Sequence, residues 1–95
     1  MDKTIHTAEY ATLLALLRET RQAAGVTQVQ LAERLGETQS QVSKLERGEV
    51  RLDLIELRTI LLTLGTTLPA FVTSLEERLK KPARTTRRKP AAGPD

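Results

Sequence analysis

Residues 27–48 read Thr-Gln-Val-Gln-Leu-Ala-Glu-Arg-Leu-Gly-Glu-Thr-Gln-Ser-Gln-Val-Ser-Lys-Leu-Glu-Arg-Gly, and the reading of this stretch decides the fold. It holds two short helical patterns, each opened by a threonine with a glutamine three residues on and each closed by a glycine. Thr27-x-x-Gln30 and Thr38-x-x-Gln41 have the form of capping boxes, in which hydroxyl and amide side chains satisfy backbone groups that the first helical turn leaves unpaired. Gly36 lies between them, and its missing Cβ permits the positive φ of a tight turn. Counted from Gln28, Ala32 is fifth, Gly36 ninth, Val42 fifteenth and Leu45 eighteenth. Two helices that cross steeply over a short turn need a small residue at the crossing, a turn former, and apolar residues for the wedge they share; Leu31 and Leu35 complete that wedge. Each residue alone is a weak signal, but the set with its caps is a strong one.

Outward from this core the chain reads as three further helices. From Thr7 to Ala24, Tyr10, Leu13, Leu14, Leu17 and Ala24 recur at helical spacing, and Gly25 follows where a left-handed residue is expected. Asp53-Leu54-Ile55-Glu56 opens a fourth helix with an N-cap carboxylate and a glutamate at the third position; it runs to about Leu64 and stops at Gly65. Leu54, Leu57, Leu61 and Leu64 are expected on its inward stripe. A fifth has Pro69 in its first turn and Leu68, Phe71, Val72, Leu75 and Leu79 on one face, ending at Pro82. No segment reads as strand. The expectation is an all-α, five-helix domain over residues 1–81, followed by a disordered basic tail over 82–95 that lacks large apolar residues.

Composition narrows the class. In 95 residues there is room for one modest core, which must be aliphatic because Tyr10 and Phe71 are the only aromatics. With no cysteine, neither a disulfide framework nor a thiolate metal site is available. His6 is the sole histidine, and no nucleophile has a base at recognisable spacing, so the expectation is a non-enzyme without metal or cofactor. No apolar run reaches the roughly 18 residues of a membrane span, and a cytoplasmic, nucleoid-associated protein is expected. The net charge of +3 is unevenly distributed: residues 1–79 carry nine basic and eleven acidic groups, whereas 80–95 carry six basic groups against Asp95. Net charge therefore says little about the folded part, and placement must carry the case for a partner. Arg84, Arg87, Arg88 and Lys89 in the tail are either a phosphate-gripping arm or a solvating segment.

Placement points to a nucleic acid. With Val42 and Leu45 turned inward, the opposite face of the third helix holds Gln39, Ser40, Ser43, Lys44 and Arg47, all hydrogen-bonding residues. Gln matches adenine N6 and N7, Lys and Arg match guanine O6 and N7, and Ser can donate or accept. Gln39, Ser40 and Lys44 are the candidates for base contact; Gln28, Thr38, Ser43, Arg47 and Arg51 are the candidates for phosphate contact.

The stretch resembles the Cro and phage-repressor family of helix-turn-helix regulators, also called the xenobiotic-response-element type. The likeness rests on Arg21, Gly25, Thr27-Gln28, Leu31-Ala32, Gly36, Val42-Ser43, Leu45-Glu46 and Gly48, and extends from about Leu13 to Leu75. It implies a lambda-repressor-like domain that binds double-stranded DNA as a homodimer at short inverted repeats, with the third helix in the major groove. It further implies that Gln28 touches a phosphate and that Arg21 pairs with Glu46 behind the reading helix. One departure is Glu49-Val50-Arg51, where the family often has a more basic or proline-bearing loop; there only Arg51 is left as a phosphate contact.

The fourth helix has more apolar surface than one face can bury, so Ile55 and Leu62, with Phe71 and Leu75 from the fifth, are the expected dimer seam. The resulting expectation is a transcriptional repressor. Two other readings stay open: the antitoxin of a toxin–antitoxin pair, with a toxin as protein partner, and an adaptor that uses the fold without reading bases.

Overall fold

The computed structural model describes residues 7–80. The tail over 82–95, the cations Arg84, Arg87, Arg88 and Lys89, and His6 lie outside the described residues. Five helices follow one another: α1 (Ala8–Ala23), α2 (Gln28–Leu35), α3 (Gln39–Glu46), α4 (Leu54–Thr63) and α5 (Leu68–Lys80). No strand occurs among the described residues, and no single helix there is long and apolar enough to cross a membrane.

Side-chain caps set the helix starts. Thr27 and Asp53 each accept from the third helical amide while Gln30 and Glu56 reach back to the N-cap amide, forming complete capping boxes on α2 and α4. On α3 only the forward half is made, from Gln41 N to Thr38 Oγ1 at 3.1 Å. Gly36 ends α2 at φ 71°, a left-handed conformation that any residue with a Cβ adopts only under strain. The steep turn between α2 and α3 rests on this.

α2 and α3 pack on each other, α1 lies against α3 and α5, and α4 joins α2 to α5. Leu17, Val26, Leu31, Ala32, Val42, Leu57, Ile60, Leu61, Leu64 and Phe71 form one buried cluster, with Leu35, Leu45 and Leu75 partly buried against it. Ala32, on the helix α2 that packs against α3, is buried in this cluster. At the start of α1, the Tyr10 hydroxyl accepts from Leu52 N at 3.1 Å, fixing the loop between α3 and α4.

The structure corrects two expectations about apolar faces. Phe71, expected at a dimer seam, is only 4% exposed. α5 lies across α1 and α4, and its ring fills the space that their aliphatic side chains leave. On α4 the inward set is Leu57, Ile60, Leu61 and Leu64, and Leu54 is not part of it. Leu54 precedes the point where α2 and α5 close over the helix, so it stands in solvent beside Ile55. Val29 is likewise exposed, at the outer side of the first turn of α2.

Candidate nucleic-acid interface

The site begins behind α3, with a buried ion pair. Arg21, in the last turn of α1, donates from Nε to Glu46 Oε2 at 2.6 Å and from Nη2 to Glu46 Oε1 at 3.0 Å. Its Nη1 donates to the Val26 carbonyl at 2.9 Å, so the guanidinium also fixes the turn into α2. Both residues are buried. The fork geometry matters because the desolvation of each charge is offset only when its hydrogen bonds are made. Arg18, one turn earlier on the same face, adds its charge at 3.8 Å from Oε1 and a bond from Nη2 to the Glu46 carbonyl at 3.4 Å. Burial pushes the Glu46 carboxyl up, but the hydrogen bonds from Arg21 and Gln28 and the charges of Arg21 and Arg18 outweigh it. The group is held below the ordinary carboxylate value.

A chain of hydrogen bonds runs from this pair to the surface. Gln28 Nε2 donates to Glu46 Oε1 at 2.9 Å, and Gln28 Oε1 accepts from Gln39 Nε2 at 2.7 Å. A carboxylate only accepts, so Glu46 decides which end of the Gln28 amide faces it, and Gln28 in turn decides which end of Gln39 faces inward. Gln39, the first residue of α3, is left with its oxygen and one N–H for an outside partner. Gln28, expected to touch a phosphate, also holds Gln39 to Glu46. Its amide lies between Glu46 and Gln39, and one N–H remains to be donated outward.

Ser40 and Lys44 are exposed along the face that Gln39 begins, while Val42 is buried and Leu45 half-buried on the other side. Thr38 Oγ1 accepts the Gln41 amide, which leaves its hydroxyl proton to be donated outward. Ser43 is half-buried and accepts from Arg47 Nη1; Arg47 Nε donates to Glu49 Oε2 at 2.7 Å. Arg51 is exposed on the loop that follows. The structure thus brings Gln28, Thr38, Gln39, Ser40, Ser43, Lys44 and Arg47 to one side of the α2–α3 unit. Ile55 and Leu62 are set apart on α4. Sequence reasoning missed Arg18, although its spacing of three from Arg21 places both on one helix face. It also missed the Gln28–Gln39 bond, for which eleven residues of separation give no periodic signal.

Two helices crossing over a glycine turn, with a polar outer face on the second and a buried ion pair behind it, define a helix-turn-helix domain. Residues 17–71 match the model of the helix-turn-helix family of the Cro and C1 type, more than half of the chain, and the chain belongs to that family. It is a DNA-binding transcription regulator by that membership. It is also similar to a solved structure described as an XRE-family like protein from Pseudomonas syringae pv. tomato str. DC3000. The two are 51% identical, with 80% of this chain and 93% of that chain covered and a TM-score of 0.72. No curated protein gives a significant match.

Proposed function

We propose that this chain is a sequence-specific repressor that reads an inverted-repeat operator as a homodimer, with α3 in the major groove. The observation that carries the reading is the relay from Arg21 and Glu46 through Gln28 to Gln39. It presents one acceptor and one donor of Gln39 at the start of α3, the pair that adenine N6 and N7 require. Ser40 and Lys44 extend base contact along the same face, and Thr38, Ser43, Arg47, Arg51 and the remaining N–H of Gln28 serve the phosphates. Preorganisation through a buried charge is what an adaptor that ignores bases would not need.

Selection of preferred duplexes from a random pool tests this. An inverted repeat with half-sites about 34 Å apart is expected. Gln39→Ala should weaken binding to the selected duplex by about tenfold to a hundredfold and relax the preference at one position per half-site, a loss of about 1–3 kcal/mol. If the variant kept its full preference, Gln39 would be removed from base reading.

For the dimer seam we propose Ile55 and Leu62, which are 69% and 48% exposed, together with Leu54 and the outer edge of Leu75. Ile55 also rims a cleft of about 270 Å³ whose apolar lining includes Leu35, Leu45 and Val50, a receptacle for side chains of a second copy. Phe71 is withdrawn from the seam because it is spent in the core. Ile55→Asp with Leu62→Asp is expected to leave a folded monomer in equilibrium sedimentation, with binding to an inverted repeat reduced to that of a single half-site. An unchanged dimer would move the seam elsewhere.

A further inference from the structure

Glu49 lies in the loop where the resembled family often has a more basic or proline-bearing sequence, and the structure shows what it holds. α3 ends in a turn through Gly48 at φ 78°, with Gly48 N bonded to Leu45 O at 3.1 Å and Glu49 N to Lys44 O at 2.9 Å. Those two bonds fold the chain back on the last turn of α3 and bring the Glu49 carboxylate to Arg47 Nε at 2.7 Å. The same guanidinium donates to Ser43, and the charge of Lys44 also acts on the carboxylate. One carboxylate thus sits among the two cations that α3 would offer to DNA.

We propose that Glu49 holds Arg47 in place of a DNA phosphate and gives it up only when α3 is fully seated, which makes one phosphate contact conditional on base recognition. This rests on the reading of α3 as the DNA-contacting helix. Both side chains are about half exposed, 52% for Arg47 and 51% for Glu49, so the pair adds little to the fold and its guanidinium is within reach of a phosphate that comes into direct contact. Loose attraction to an arbitrary duplex leaves layers of water between phosphate and protein, and a hydrated phosphate does not displace a carboxylate already in hydrogen-bond contact. Entry of α3 into a groove brings the flanking phosphate into contact, and the guanidinium then passes from one oxyanion to another. Glu49, at the outer end of the turn, returns to water. Sequence-independent binding is nearly all counterion release, so withholding one cation from it acts on discrimination.

The test compares the slope of log affinity against log salt on two duplexes: one recovered by selection from a random pool, and one of the same length and scrambled sequence. The unsubstituted protein should show a slope steeper by about 0.9 on the selected duplex through Arg47 alone. Glu49→Gln should close that part of the difference by steepening the slope on the scrambled duplex, with several-fold tighter scrambled binding at 0.1 M salt. Its melting temperature should be unchanged within a few degrees. Glu76→Gln, the same change in net charge on α5, should leave the difference intact. The proposal is overturned if Glu49→Gln leaves the scrambled slope unaltered, shifts both slopes equally, or is matched by Glu76→Gln. Should the unsubstituted protein prefer no sequence at all, the reading of α3 fails first and this inference with it.

Discussion

Arg21→Met is expected to destabilise the fold by about 3–5 kcal/mol, because it leaves the Glu46 carboxylate buried without its main partner and releases the Val26 carbonyl as well. For a domain of this size the melting temperature should fall by at least about 12 °C. Arg21→Met combined with Glu46→Leu should recover most of the loss, since the penalty lies in the orphaned charge more than in the absence of the bond. Urea unfolding of the two single variants and the double variant measures this, and additive losses would show that the pair is not a coupled unit.

The pH dependence carries a sign that checks the same pair. Glu46 is held below its unfolded value, so its contribution is fully present above the ordinary carboxylate range near 4.5 and is lost as pH falls through the lower folded value. In Arg21→Met burial dominates instead, the Glu46 carboxyl moves above its unfolded value, and acid relieves the penalty. The unsubstituted protein should therefore lose stability as pH falls below about 4.5, while the stability gap to Arg21→Met narrows. A gap that widened with acid would contradict the assignment.

Leu61→Ala should cost about 2.7–5 kcal/mol. Leu61 is 0% exposed in the core cluster, on the helix that packs between α2 and α5. Three lost carbons leave a void that the packed helices cannot collapse around without moving α2, α4 or α5. In a domain whose whole stability is on the order of 5–15 kcal/mol, that is a large share of the total, and the melting temperature should fall by at least about 10 °C. Leu54→Ala on the same helix should change stability by less than about 0.5 kcal/mol in the monomeric Ile55→Asp/Leu62→Asp background, because that side chain is exposed in the single chain. Equal losses at the two positions would mean that the inward face of α4 has been misassigned.

The contrast between Leu61 and Leu54 also shows where sequence reading runs out. In α2 and α3 polar and apolar residues alternate cleanly enough that the cap, the crossing alanine, the turn glycine and the inward Val42 could each be assigned before any coordinates. α4 is different: residues 54, 55, 57, 60, 61, 62 and 64 are all aliphatic. Periodicity saturates there, and the inward face is set by how α2 and α5 dock. Phe71 misled for a related reason, since an apolar residue on an amphipathic helix suits a core and an interface equally well. At the candidate site, residue type and spacing identified the outer face of α3. The partner of Gln28 could not be read, because a glutamine amide takes whichever charge the fold brings near it. Glu49 stood out as a departure from the family pattern, yet its hold on Arg47 depends on a turn geometry that only the structure supplies.

The central claim is that the face of α3 begun by Gln39 meets DNA. Amide shift mapping by NMR, titrating the isotope-labelled chain with a duplex recovered by selection, tests it most directly. The largest shifts are predicted at Thr38, Gln39, Ser40 and Lys44 and at the start of α2, with those on the outer face of α4 small. Shifts concentrated on α4 or α5, with α3 silent, would contradict the account.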